Sequence, residues 1–275
     1  MTKPIADALS LRFGDFAADV PPEAAGETHR VMAARGVVRR FKPEPLPPAL
    51  VETLCAIALS APTKSDLQQR DILLVEDRAI RARIDALLPE QDWLPGAPHL
   101  AIFLGNNRRQ RQVHDWRGIP FANDHLDAFF NAAVDAAIAL QAFVTAAEAA
   151  GVGCCPLSVI RNHAAVVSEM LGLPEHVFPV AGMGFGRPAG PAFVSARLPL
   201  SLTVHRDRYH DATRAEVEAY DRRRNGIFPY RKQRNVAKFG TSDSYGWSEE
   251  KARHYGVPER ADWGSFVRGK GFKLE

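Results

Sequence analysis

The segment from 124 to 150 constrains the fold more than any other part of the chain. It reads as one long helix, rich in alanine, with small apolar residues almost all round. A helix that is apolar on most faces has to be buried, so this one belongs at the centre of the fold. Gly151 and Gly153 close it, glycine being the residue that tolerates the left-handed turn after a helix. A chain of 275 residues has volume for such a core, as one large domain or two small ones.

Around that helix the sequence alternates between two periods. Residues 71–76 and 99–104 are short apolar runs bounded by turn residues and predict strands, and 178–186 predicts a third that runs into a glycine-rich turn. Helical spacing predicts helices over 28–36, 46–60, 78–88, 160–171 and 211–224, with Thr28 as an N-cap and Pro47 and Pro48 in the first turn of the second. Residues 202–205 read as a short strand. Beyond 224 lies a basic, aromatic tail with little periodicity. Strands separated by helices indicate an α+β or α/β chain with one central sheet. There is no Walker A sequence. Gly182, Gly184 and Gly186 have the wrong spacing for a dinucleotide fingerprint and follow a late strand, which argues against a Rossmann domain.

Composition narrows the class further. Hydrophobic residues make up 46% of the chain and charged residues 24%, as in a soluble globular protein. A net charge of +3 gives no argument for nucleic acid or a membrane as partner. No stretch reads as the roughly 20-residue apolar run of a membrane span, and residues 1–22 lack the apolar run of a signal peptide. Those residues read as an N-terminal extension whose order the sequence leaves open. Cys55, Cys154 and Cys155 form no disulfide framework and no metal-ligand spacing, which fits a reducing, cytoplasmic setting.

Three separated segments carry the chemistry. The first is Arg35-Gly36-Val37-Val38-Arg39-Arg40-Phe41, the second Ala61-Pro62-Thr63-Lys64-Ser65-Asp66-Leu67-Gln68, and the third Ala196-Arg197-Leu198-Pro199. Taken singly, they are a solvated basic helix end, a turn and a surface strip. Taken in order, they resemble the FMN-dependent nitroreductase family, closest to its NADPH-preferring subgroup of oxygen-insensitive nitroreductases and flavin reductases. Gly151-Val152-Gly153, Ile160-Arg161-Asn162, Leu171-Gly172-Leu173-Pro174, Gly182, Gly184, Tyr220-Asp221 and Trp247 extend the resemblance, which covers about 28–272.

The resemblance implies an α+β nitroreductase-like fold: a central, mostly antiparallel sheet flanked by helices, with the long helix buried, in an intertwined homodimer. It divides the chain into an extension at 1–22, an FMN-binding core at 23–210 and a C-terminal extension at 211–275 that wraps the core or the partner subunit. It implies FMN as cofactor, NADPH or NADH as reductant, and ping-pong hydride transfer through flavin N5 to a nitroaromatic, a quinone or a flavin. No side chain acts as nucleophile. Arg35 and Arg197 match positions that contact the FMN phosphate, where cations are needed. Arg39 matches the residue near flavin N1 and O2, where reduction builds negative charge. Thr63, Lys64, Asp66 and Gln68 match the loop around the pyrimidine and ribityl groups, and Pro156, Leu157 and Ser158 the backbone toward N5 and O4. Arg161 matches a residue facing the substrate.

The basic run Arg222, Arg223, Arg224, Arg231, Lys232 and Arg234 contains no acid and reads either as an anion site or as a solvated face. In the first reading Arg222, Arg223, Arg224, Arg231 and Lys232 hold the 2′-phosphate of NADPH, and Tyr220 joins Arg161 among the substrate and NADPH residues. The chain also departs from the family pattern. Gly36 and Val37 stand where a basic residue and a serine are usual, Thr63-Lys64 where two serines are, Asp66 for asparagine, Gly96 for glutamine and Ser195 for lysine. These departures leave two alternatives in view: flavin chemistry of another kind, such as flavin fragmentation or reductive dehalogenation, and a non-catalytic flavin-binding protein.

Overall fold

In the computed structural model, which describes residues 2–275 and side chains from Pro4 onward, helices surround four strands. In chain order the main elements begin with helices α1 (Thr2–Phe13), α2 (Glu27–Ala34) and α3 (Pro48–Leu59), strand β1 (Arg70–Leu74), helix α4 (Arg78–Leu87) and strand β2 (His99–Asn106). They continue with α5 (Arg108–Arg117), α6 (Leu126–Ala149), β3 (Gly153–Leu157), α7 (Ala164–Met170) and β4 (Val177–Gly186). The chain ends with α8 (Leu200–Thr203), α9 (Arg214–Ile227), α10 (Val236–Phe239), α11 (Trp247–Tyr255) and α12 (Trp263–Gly269). Two compact units result, one of Met1–Gly36 and Phe193–Glu259, the other of Val37–Ala192 and Arg260–Glu275.

The second unit holds the sheet, in the order β1-β2-β4-β3 with every pair antiparallel. Strand β2 sits inside it and is covered on both faces. Its side chains alternate, as a strand requires. Ala101 and Phe103 pack with Leu54, Ala139, Phe143 and Phe185 under α3 and α6. Leu100, Ile102 and Leu104 pack with Ile84, Leu94, Ile160 and Val167 on the other side. Phe103 and Phe143 meet edge-on at 5.8 Å. Burying each such ring is worth roughly 1.5–3 kcal/mol, so this layer holds α6 against the sheet. Pro156 falls in β3, an edge strand, where the N–H it lacks interrupts no interior ladder. Near the C-terminus, Phe272 returns to this unit and packs edge-on against Phe129 and Phe178.

Helix α6 corrects the first expectation in part. Its stripe Ala132, Ala136, Ala139, Phe143 and Ala147 is buried at helical spacing. Its other side is not: Leu126, Phe130 and Val134 are 46%, 59% and 38% exposed. By length and composition α6 is also apolar enough to cross a membrane, contrary to the reading that no stretch is; here its buried stripe packs on the sheet.

Other expectations shift for local reasons. Residues 202–205 were expected as a strand, but the helix α8 occupies Leu200–Thr203, its first N–H groups taken by the Asp15 carboxylate. The predicted helix over 160–171 divides into a 3-10 segment, Val159–His163, and α7. Helix α5 escapes an apolar pattern because its sequence is almost wholly polar. The tail contains α10, α11 and α12 rather than irregular chain. In the first unit, Asp221 accepts the Ser248 N–H at 2.9 Å, and Trp247 meets Tyr220 edge-on at 5.3 Å, so α9 and α11 are fixed to each other. The Thr213–Glu216 capping box starts α9. Residues 1–22 include the helix α1.

Candidate functional site

In the second unit, the loop after α3 is built against local preference. Ser65, Asp66 and Gln68 all have left-handed φ, at 48°, 56° and 52°. Each such non-glycine residue costs of the order of 1 kcal/mol and persists only where its surroundings over-determine it. Here they do. The carboxylate of Asp135, fully buried on α6, accepts the Lys64 N–H at 2.9 Å through one oxygen and the Gln69 N–H at 3.0 Å through the other. From α5, Arg109 donates to the Gln68 carbonyl at 2.7 Å and Gln110 to that of Leu67. Within the loop, Gln68 donates through its amide to Asp66 at 3.2 Å, and Lys64 through Nζ to Ser65 at 2.8 Å. A cavity of about 390 Å³ opens beside it, lined among others by Asp66, Gln68, Arg70 and Arg109.

Residues 38–42 run beside β3 and the end of β4. Val38 donates to the Cys154 carbonyl at 3.1 Å, and Lys42 to that of Arg187 at 2.8 Å. A side chain at Gly153 would strike Val38 at 2.7 Å, so this close approach requires glycine there. Exposed Arg39 is thereby held alongside β3. Pro156 and Leu157 close that strand rather than forming a loop, and Ser158 follows it. Arg161, on the 3-10 segment, donates to the Val180 carbonyl and lies 5.8 Å from the Trp263 ring, so it braces β4 and α12.

The first unit contains Arg35 and Arg197. Arg197 is exposed and donates to the Ser195 hydroxyl and to the Ala196 carbonyl. Their two chain segments are drawn together by Arg12, which donates to the carbonyls of Ala33, Arg35 and Ser195. Gly36 is forced to be glycine: an added Cβ would lie 2.3 Å from the Phe193 carbonyl oxygen. A larger cavity, about 480 Å³, lies elsewhere in this unit and is walled mainly by apolar side chains such as Leu9, Phe13, Phe16 and Met32. Arg12, His29 and Asp19 are the charged or titratable groups in its lining.

The tail residues expected to read NADPH are mostly engaged otherwise. Tyr220 is buried, its hydroxyl directed to the Ala196 carbonyl at 3.4 Å, and burial pushes its phenol above the ordinary value. Arg223 donates to the carbonyls of Leu11, Arg12 and Arg197, which fixes the end of α1. Arg224 donates to the Phe228 carbonyl and lies 4.1 Å from the Tyr230 ring. The physical reason is shared: each lies on the face of α9 that packs inward, which the mere density of arginines concealed. Arg231 and Lys232 are exposed.

Asp135, Arg109 and Arg12 were missed by the sequence reading. Asp135 had a signal, an acid at a buried position of an alanine-rich helix, where an unpaired carboxylate is rarely tolerated. Arg12 had none, because Ser195 is remote in sequence.

An all-antiparallel four-stranded sheet between helical layers, with a pinned left-handed loop after the third helix, defines the class. Residues 32–187 match the sequence model of the nitroreductase family, and residues 195–275 that of the nitroreductase family C-terminal domain. The chain belongs to the nitroreductase family. It is similar to the FMN reductase (NAD(P)H) of Bacillus subtilis strain 168, with 28% identity over 244 residues, 86% of this chain and 94% of the relative. It is also similar to the oxygen-insensitive NADPH nitroreductase of Salmonella typhimurium strain LT2, with 31% identity over 194 residues, 70% of this chain and 79% of that one. Among solved structures, B. megaterium NfrA2 superposes with a TM-score of 0.82 at 27% identity, over 91% of this chain and 99% of that chain.

Proposed function

We propose that this protein is an FMN-dependent NAD(P)H oxidoreductase that reduces nitroaromatics, quinones or flavins, acting as a cytoplasmic homodimer. The observation that carries the reading is the loop Thr63–Gln68, whose sequence resembles the family's flavin-contacting segment and which buried Asp135 holds in a strained conformation. Strain of this kind concentrates at functional sites. Membership in the family and similarity to FMN and NADPH reductases support the cofactor and the reductant.

Within each unit the donors suit a part of FMN. Arg35 and Arg197 are the proposed phosphate contacts, planar cations that match phosphate oxygens. Thr63, Lys64, Asp66 and Gln68 are proposed for the pyrimidine edge and ribityl chain. Pro156 has no N–H to give, so Leu157 and Ser158 are proposed as the backbone donors toward N5 and O4. Bound FMN supplies a two-electron relay between nicotinamide and acceptor. The protein's part is orientation and charge. Arg39, whose backbone neighbours are held beside β3, would stabilise the negative charge that reduction builds at the pyrimidine end. No side chain serves as a nucleophile.

The exposed stripe Leu126, Phe130 and Val134 on α6 supports a dimer, since three large apolar residues at i, i+4 and i+8 form a face that a second copy would cover. Arg231 and Lys232 are the proposed contacts for a 2′-phosphate. The test is steady-state oxidation of NADPH with a quinone, a nitroaromatic and free FMN as acceptors. Turnover with parallel double-reciprocal lines is expected. Flavin binding without turnover on any of the three would leave a flavin-binding protein and overturn the enzyme reading.

A further inference from the structure

Helix α1 precedes the residues that match the family, which begin at 32. It is nevertheless tied to the two segments that carry the proposed phosphate contacts. Arg12, near its end, is only 6% exposed. Its guanidinium donates to the Ala33 carbonyl at 3.0 Å, the Arg35 carbonyl at 2.7 Å and the Ser195 carbonyl at 3.2 Å. Its own carbonyl accepts the Arg197 N–H at 2.6 Å. Arg223 closes the knot, donating to the Leu11, Arg12 and Arg197 carbonyls. Three residues on, the Asp15 carboxylate accepts the N–H groups of Leu200 and Ser201, each at 2.9 Å.

The same place is poor in cations by the family's measure. By the resemblance, Gly36 and Ser195 stand where basic residues are expected, and Gly36 has no room for a side chain. A buried guanidinium bonded to three carbonyls fixes 33–35 against 195–197, and it adds a positive charge next to them. The planar fork suits this task, and an ammonium does not.

We propose that Arg12 of the N-terminal helix is a positioning residue for the phosphate end of the FMN site, setting Arg35 and Arg197 in place of the cations lost at 36 and 195. The proposal rests on the FMN reading above. Its signature is selectivity for the phosphate. Riboflavin has the same ring and ribityl chain without phosphate, so the ratio of riboflavin to FMN dissociation constants isolates what Arg12 does.

The experiment measures both constants by quenching of flavin fluorescence, with thermal unfolding followed in parallel by circular dichroism. Wild-type protein is expected to prefer FMN. Arg12→Ala is expected to lower the preference about tenfold through weaker FMN binding, with riboflavin affinity unchanged, and Arg12→Lys is expected not to restore it. Should Arg12→Ala fail to fold, Asp15→Ala loosens the same arm from 200–201 and is expected to lower the preference about threefold. An unchanged ratio in the folded Arg12→Ala protein, or in Asp15→Ala where the former does not fold, overturns the proposal. Equal loss of both flavins also overturns it, since that marks a general structural role. A wild-type protein that binds neither flavin sinks the FMN reading itself, which this proposal needs.

Discussion

Asp135 and Lys64 are far apart in sequence, yet the buried Asp135 carboxylate accepts the Lys64 N–H at 2.9 Å, while its second oxygen accepts that of Gln69. One side chain on the central helix thus brackets the loop proposed to hold the flavin. Removing it leaves two N–H groups without acceptors, each costing about 1–3 kcal/mol. Asp135→Ala is therefore expected to lower stability by about 3 kcal/mol in urea unfolding and to abolish tight FMN binding. Asp135→Asn keeps one acceptor oxygen and is expected to fall between. Full flavin affinity in the alanine variant would show that the loop does not depend on this clamp.

Arg35→Ala and Arg197→Ala are each expected to weaken FMN. A charge-assisted contact is worth about 1.5–3 kcal/mol, so the dissociation constant should rise roughly tenfold to a hundredfold. Equilibrium dialysis against FMN checks this, with riboflavin as the reference that should not change. Unchanged FMN affinity in both variants removes the phosphate assignment.

Restoring the family's basic residue at 36 should fail. The Phe193 backbone sits where the first side-chain atom would go, at 2.3 Å, and backbone cannot step aside as a flexible side chain can. Gly36→Arg is expected to destabilise the fold by more than Gly36→Ala, and both measurably, in chemical unfolding. A Gly36→Arg protein as stable as wild type would show that the segment at 193 yields freely.

The tail divides into two kinds of arginine. Arg223→Ala breaks three hydrogen bonds to carbonyls and is expected to lower the melting temperature while slowing flavin reduction by NADPH and NADH equally. The pair Arg231→Ala, Lys232→Ala is expected to slow NADPH alone, with the preference weakening as salt rises, because exposed charges are screened. Stopped-flow reduction with each nucleotide separates the cases. Equal slowing in the pair variant would remove the 2′-phosphate role from these residues.

One acid-sensitive contact is clear. Asp124 accepts from Arg111 and bonds Lys273 at 2.8 Å, and these hydrogen bonds hold its carboxyl well below the ordinary range, at about 2. A folded value below the unfolded one stabilises at pH above the unfolded value and is lost as pH falls through the folded one. The contribution should therefore be complete near neutrality and disappear between about pH 4 and pH 2. Asp124→Asn should flatten that part of a stability curve against pH, and a curve identical to wild type there would contradict it.

What the sequence revealed follows from the range of the forces involved. The strands β1, β2 and β4 were legible as short apolar runs bounded by turn residues, α3 and α4 by helical spacing, and α6 by its length and apolar composition. Helix α5 was not, because Arg108–Arg117 offers almost no apolar face. The outward stripe on α6 was hidden because Leu126, Phe130 and Val134 look like core until a partner helix is found missing. Arg39 and the loop Thr63–Gln68 enter the proposed site through the order of their motifs alone. Arg12, Asp135 and the inward turn of Arg223 were not legible, since each acts on residues far along the chain. Density of charge in the tail said nothing of direction.

Flavin content tests most directly whether this chain holds FMN. The purified protein should absorb near the flavin maximum in the visible range, release FMN on denaturation, and rebind it at about one per chain with at least micromolar affinity. A colourless protein that takes up no FMN at that concentration would contradict the account.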